Sequence, residues 1–184
     1  MTKQVFSKPF TQQEAIPEAG IARAVEIMKT GRLHRYNLLP DEAGEAAALE
    51  MEYAKWQGAD YCIACTSGGY AIQLGLRVCG VKPGDKVLAN AYTLAPVPGA
   101  IHNVGGVPVL VDIDESYHID CDDLDVKAAA SGAKYLLLSY MRGHIPDMDK
   151  LLAVCAKYDI CLIEDCAHTM GAKWRGIRSG NFGK

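Results

Sequence analysis

The chain has 184 residues, 49% of them hydrophobic and 22% charged, with a formal net charge of -3. This is an ordinary globular composition, long enough for one large core or two domains, and it offers no basic face to a nucleic-acid backbone. Every apolar run is interrupted well before the about 18 residues a membrane helix needs, and MTKQVFSKPF lacks the apolar core of a signal peptide, so a cytoplasmic protein is expected, with neither nucleic acid nor membrane as partner.

In chain order, residues 13–30 read as an amphipathic helix with Ile21, Ala24, Val25 and Met28 on one face. Lys29 falls in its last turn and Gly31 just beyond, a usual stop. Residues 31–40 form a polar loop bearing Arg32 and Arg35. Asp41 is positioned to cap a second helix through residue 57, with Leu49, Tyr53 and Trp56 at helical spacing and Gly58 ending it. These first 58 residues are expected to be a helical segment packing on a larger domain, residues 59–184.

From residue 60 the rhythm changes. Strand-like runs at 61–65, 86–90, 107–113, 134–140 and 160–165 alternate with helical stretches at 69–78, 94–103, 121–130 and 147–158. KPGD, at 82–85, places proline and glycine where a turn needs them. This alternation predicts an α/β fold, a doubly wound, mainly parallel sheet with helices on both faces. Seven cysteines invite thoughts of zinc. However, Cys62 and Cys65 have no second pair at zinc spacing, and strand alternation would turn them to opposite faces. Cys161 and Cys166 are packing residues, and small, reduced, buried thiols are expected throughout.

The chemistry concentrates in ICLIEDCAHTMGA, residues 160–172. An apolar strand ends in Glu164 and Asp165, and His168 follows three residues later. Ligands of open α/β sheets sit outside the carboxyl ends of the strands. An acid there either caps the next turn or pairs with a cationic ring nitrogen. A P-loop reading fails because GxxxxGK[ST] does not occur. At the other end of the argument is TSGGYAIQLGL, residues 66–76. Ser67 can cap a helix whose amino-terminal N–H groups suit phosphate, while Gly68 and Gly69 permit close approach; the same pattern is also an ordinary strand–helix connection. The spacing is not GxGxxG, and Asn90 stands where a dinucleotide fold places an acid. A phosphate cradle and a ring-pairing carboxylate together describe pyridoxal phosphate, whose pyridine nitrogen must stay protonated for the ring to accept electrons.

Six segments in order carry a resemblance: GRL at Gly31, SGG at Ser67, KPGDKV at Lys82, GGVPVLVDID at Gly105, GHIPDMD at Gly143 and EDCAHTMGA at Glu164. The chain resembles the pyridoxal-phosphate sugar aminotransferases of fold type I, the DegT-like family. The resemblance implies that Asp165 pairs with the pyridine nitrogen, that His168 lies near the ring oxygen, and that Gly68 and Gly69 hold phosphate through their amides. The family often carries a hydroxyl residue where Gly69 stands. Leu94 falls where the family stacks an aromatic on the ring, with Tyr92 an alternative; plain core packing is the other reading of both. His144 stands where the family usually has glutamine, as a structural or a site residue. Arg32, Arg35 and Arg142 are candidates for a substrate carboxylate or phosphate, or surface arginines. Asp112 and Asp114 read as strand-ending, turn-capping acids.

The resemblance also implies a Schiff-base lysine roughly ten residues beyond GNFGK, the last five residues of the sequence; Lys184 aligns ahead of the relevant strand and is not that lysine. The implied sheet order is 3-2-4-5-6-7-1, with the five strands read here as the first five. The expectation is therefore the amino-terminal subunit of a split aminotransferase. A second polypeptide would supply the last strands, the lysine and the small domain, in a higher oligomer, and the isolated chain would be inactive. The expected reaction moves an amino group from glutamate or glutamine to a keto-sugar or keto-cyclitol. The alternatives are a sugar dehydratase half, with histidine in place of the lysine, a non-catalytic scaffold or regulatory subunit, and a mere fragment.

Overall fold

The computed structural model describes residues 13–41 and 44–184, together with Ser7, Pro9 and Thr11. Most of MTKQVFSKPF, and residues 42 and 43 ahead of the second helix, lie outside the described residues. The chain divides into two compact units, Met1–Ala48 and Leu49–Lys184.

In the first unit, α1 (Glu18–Thr30) begins later than the periodicity predicts, because Pro17 occupies its N-cap and a residue preceding proline is pushed out of helical geometry. Gly31 ends it in the left-handed region at φ 69°, donating its N–H to Met28. No residue of α1 is buried within the chain, so the stripe of Ile21, Val25 and Met28 lies exposed. The Arg23 guanidinium bonds the Glu45 carboxylate at 2.8 Å through Nε. The second helix, α2 (Glu45–Gln57), starts four residues after Asp41, which sits in a turn and is not its cap.

The second unit is built on a parallel sheet of β1 (Lys86–Asn90), β2 (Val107–Val111), β3 (Tyr135–Ser139) and β4 (Cys161–Asp165), in the order β2-β1-β3-β4. Counting residues 61–65 as the first strand, this is 3-2-4-5, the beginning of the implied order. Side chains alternate as the two-residue period requires. Val87, Ala89, Leu137 and Ile163 face α3 (Gly68–Val78) and α4 (Pro96–Asn103) with Leu76, Val97 and Ile101. Leu88, Leu136, Leu138 and Leu162 face α5 (Cys121–Ser131) and α6 (Met148–Tyr158) with Leu124, Met148 and Leu151. Each fully buried leucine contributes about 1.5–3 kcal/mol by leaving water. Helices therefore cover both faces, and the carboxyl ends of the strands share one rim.

The caps fix where each helix begins. Ser67 Oγ accepts from Tyr70 N at 3.1 Å. The Asp120 carboxylate accepts from Asp122 and Asp123 N–H, and that of Asp147 from Asp149 and Lys150 N–H. Asp112 and Asp114 end β2 and organise the turn after it, Asp114 Oδ1 accepting from Ser116 and His118 N–H.

One strand expectation fails. Residues 61–65 form no strand and pair with nothing in the sheet. Tyr61 is 91% and Ile63 61% exposed. Alternating β-branched and aromatic character favours an extended backbone, but a strand exists only where a neighbour offers hydrogen bonds. The cysteine expectation is also corrected: all seven are free, but only Cys155 is fully buried and the others are half-buried. A small hairpin, β5 (Lys173–Trp174) with β6 (Ile177–Arg178), had no counterpart in the periodicity. Arg175 and Gly176 both take positive φ at its tip, as two-residue hairpin turns require. Among the described residues, no helix is long and apolar enough to cross a membrane.

Candidate functional site

Asp165 is the last residue of β4, directly opposite Ser139 of β3 in the parallel register. Its side chain is half-buried and held from both sides. Oδ2 accepts from Ser139 Oγ at 3.1 Å, and Oδ1 accepts from Ala167 N at 3.2 Å. Ser139 is itself fixed by Asn90 at the end of β1. Ser139 N donates to Asn90 Oδ1 at 2.9 Å, and Asn90 Nδ2 donates to Ser139 O at 3.2 Å and to Tyr92 O at 2.7 Å. Asn90, where a dinucleotide fold would carry an acid, thus ties three strand ends together. Two neutral donors on the carboxylate fix its orientation.

Asp165 and Gly68 line the same open cleft, of about 410 Å³, whose apolar wall includes Ala71, Ile72 and Ile163. Gly68 and Gly69 begin α3, so their N–H groups have no acceptor within the helix. A Cβ at Gly68 would meet nothing within 4 Å, and one at Gly69 would come no nearer than 3.9 Å to Pro96. The amino terminus of α3 therefore has both free donors and open space beside it, which is what a phosphate group requires. A carboxylate near one end of the cleft and this cradle at another fit the two polar ends of pyridoxal phosphate.

None of the other expected site residues lines this cleft. His168, in the turn after β4, is exposed, and its Nδ1 accepts from Arg142 N at 3.2 Å. That bond assigns the ring hydrogen to Nε2, leaving a donor pointing away from the backbone. Arg142 reaches it from left-handed backbone, φ 58°, followed by Gly143 at φ 84°. Leu94 is 51% exposed in the segment after β1. It does not line the cleft with Asp165, nor do Gly69 and His168. The Tyr92 ring lies against Tyr117, centroids 5.5 Å apart. His144 lies edge-on to His118 at 5.5 Å and also near Tyr117. In the first unit, Arg32 and Arg35 line a cavity of about 260 Å³ together with Arg23 and Glu45.

Ser139, Asn90 and Glu164 were not picked out as working residues from the sequence. Ser139 had a signal: a hydroxyl ending an all-apolar strand, one strand over from the acid. Glu164 points to the opposite face from Asp165 and accepts from Tyr140 Oη at 2.6 Å. Burial, then the adjacent Glu164 charge, raises the Tyr140 phenol far above its usual range, so it stays a donor.

The chain is similar to aminotransferases over nearly all its length. The model of the DegT/DnrJ/EryC1/StrS aminotransferase family matches residues 17–184. A 3-amino-5-hydroxybenzoate synthase of Amycolatopsis mediterranei is 35% identical over 139 residues, 75% of this chain and 36% of that protein. A UDP-2-acetamido-2-deoxy-3-oxo-D-glucuronate aminotransferase of Pseudomonas aeruginosa is 34% identical over 166 residues, 90% of this chain and 43% of the relative. A pleiotropic regulatory protein of Geobacillus stearothermophilus is 33% identical over 136 residues, 73% of this chain and 36% of its own. The crystal structure of a 3-amino-5-hydroxybenzoic acid synthase superposes with a TM-score of 0.84 at 30% identity, over 95% of this chain and 44% of that one. A Bacillus subtilis protein, NtdA, crystallised with bound cofactor PMP, superposes with a TM-score of 0.70 at 26% identity, covering 79% of this chain and 32% of its own. The chain spans less than half the length of these relatives. Its fold is the amino-terminal part of the large domain of fold type I, and solved neighbours of that fold include a PLP form and a structure with bound PMP. The chain belongs to the DegT/DnrJ/EryC1/StrS aminotransferase family.

Proposed function

We propose that this chain forms the phosphate- and ring-nitrogen-binding half of an aminotransferase that moves an amino group from glutamate or glutamine to a keto-sugar or keto-cyclitol. The observation carrying the proposal is the shared cleft of Asp165 and Gly68, with Asp165 braced by Ser139. Bound pyridoxal phosphate supplies an electron sink for breaking bonds at the substrate's amino-bearing carbon. Asp165, oriented by Ser139 and Ala167, would hold the proton on the ring nitrogen. The Gly68 and Gly69 amides bind the phosphate, with the α3 macrodipole adding to their pull. Ala71, Ile72 and Ile163 would give the ring an apolar wall, while contact of His168 with the ring oxygen and of Leu94 with a ring face would require both to move in from outside the cleft.

The reactive lysine and the strands completing the sheet belong, in this proposal, to a second polypeptide within a larger oligomer. One feature supports an added neighbour: the extended 61–65 run pairs with no strand among the described residues and leaves Tyr61 and Ile63 exposed. Unpaired strand edges recruit other strands. The test is co-expression with the candidate complement, followed by transfer of an isotopically labelled amino group from glutamine to a keto-sugar or keto-cyclitol. Transfer by the complex alone is expected; an active, monomeric 184-residue chain refutes the arrangement.

A regulatory subunit is the second reading, favoured by the likeness to the Geobacillus regulatory protein. Saturable cofactor binding with amino transfer supports the enzyme; an assembly that binds no pyridoxal phosphate supports the regulator.

A further inference from the structure

Glu164 stands beside the cofactor acid but on the opposite face of β4, and the reading above gives it no task. Its carboxylate nevertheless accepts four hydrogen bonds. Oε1 accepts from Phe182 N at 2.8 Å and from Gly183 N at 2.7 Å. Oε2 accepts from Gly180 N at 2.8 Å and from Tyr140 Oη at 2.6 Å. Three of the four donors are backbone amides of one four-residue stretch, residues 180–183. The fourth is a buried phenol kept protonated by its surroundings. Immediately afterwards Lys184 N donates to Leu162 O at 3.1 Å, so this stretch runs back along β4 on the sheet's outer edge. The fit is close: a Cβ at Gly183 would lie 2.4 Å from Leu162 O and 3.4 Å from Glu164 Oε1.

We propose that Glu164 is a positioning residue that fixes the register of residues 180–184 on the β4 edge. Through that register it shapes the wall of the cleft that Gly180 and Lys184 line with Asp165, and so sets how the amine supplied by the complementing polypeptide meets the cofactor. The proposal rests on the aminotransferase reading above. A carboxylate suits the task because its four lone-pair sites match four donors, and bonds to a charged acceptor are about twice as strong as neutral ones. Adjacent strand residues point to opposite faces. Asp165 thus faces the cofactor while Glu164, one residue earlier, grips a segment whose Gly180 and Lys184 line the same cleft.

The test uses the assembled, cofactor-loaded protein and the same assembly stripped of cofactor, with two variants that attack the contact from opposite sides. Glu164→Gln keeps size and shape but replaces an acceptor oxygen with an N–H2 group. Gly183→Ala leaves the carboxylate intact and drives a methyl into the β4 backbone from an exposed position. Hydrogen exchange of the Gly180, Phe182 and Gly183 amides is expected to accelerate at least about tenfold in both variants, while Leu124 and Leu151 amides keep their protection. In the loaded protein, the fraction of cofactor trapped by borohydride on lysine and kcat should both fall, kcat by up to roughly 10²-fold. The KM for the amino donor and the cofactor Kd should stay within about threefold, because Asp165 and Gly68 are untouched. Unchanged exchange at residues 180–183 in Gly183→Ala overturns the proposal, as does faster exchange there with trapping and kcat unaltered. Exchange in the stripped assembly does not depend on the cofactor. A wild-type assembly that protects these amides but traps no cofactor therefore counts against the aminotransferase reading and not against the clasp.

Discussion

Asp165→Asn isolates the charge on which the cofactor reading depends. The substitution preserves shape: asparagine Oδ1 can still accept from Ala167 N, and the Ser139 hydroxyl can rotate to accept from the new N–H2 group, so both local contacts survive in outline. What disappears is a charged acceptor for a protonated ring nitrogen. A hydrogen bond to a charged group contributes about 1.5–3 kcal/mol, which corresponds to roughly 10- to 150-fold in affinity. Pyridoxal phosphate titrated into the assembled protein, followed by calorimetry or quenching of intrinsic fluorescence, should show that loss with an unchanged unfolding midpoint. Ser139→Ala leaves the charge but removes the brace, and a single hydrogen bond of about 0.5–1.5 kcal/mol predicts only a 2- to 12-fold loss. An asparagine variant that binds the cofactor within about twofold of wild type, or a larger effect from Ser139→Ala than from Asp165→Asn, refutes the reasoning.

Other outcomes follow from packing, capping and thiol chemistry. Leu136 is fully buried between β1 and β4, and Leu136→Ala should cost about 2–5 kcal/mol by urea unfolding. Asp147 accepts from two first-turn amides of α6, so Asp147→Ala should cost about 1 kcal/mol in the same assay. Burial pushes the thiols of Cys79, Cys155 and Cys166 up to about 11 from an ordinary 9.0. At pH 8 only about one in a thousand of each is thiolate, so iodoacetamide should label them slowly in the native protein and about tenfold faster per pH unit as the pH rises. Because the folded state holds these protons more tightly than the unfolded chain, their stabilisation is complete below about pH 9. It is lost as the pH rises toward 11, which an alkaline series of unfolding midpoints will show.

Much of this fold was legible because its signals are local. Ser67 marks a helix start and Gly31 a helix end in left-handed backbone, and continuous apolar runs announce strands buried on both faces. Asp165 stood out because an acid ending such a run is unusual. The misses share a physical cause, namely partners distant in the chain. Residues 61–65 have strand character, yet pairing is a property of neighbours and the described residues offer none. The Ser139 hydroxyl and the Asn90 amide become a brace for Asp165 only once β1, β3 and β4 align in register. Glu164 looked like a companion of Asp165, and strand alternation alone placed it on the other face. Its four donors come from residues 140, 180, 182 and 183, which no periodicity in the sequence connects to it. The late start of α1 is the exception, a local effect of Pro17 at its N-cap that overrides the hydrophobic stripe of residues 21–28.

The central claim is that Asp165 holds the cofactor ring while the reactive amine comes from outside these 184 residues. Borohydride reduction of the loaded assembly, digestion and mass spectrometry locate the pyridoxyl group on a single lysine. The account predicts a labelled peptide from outside these 184 residues, and label on Lys184, Lys173 or any other lysine among them would contradict it.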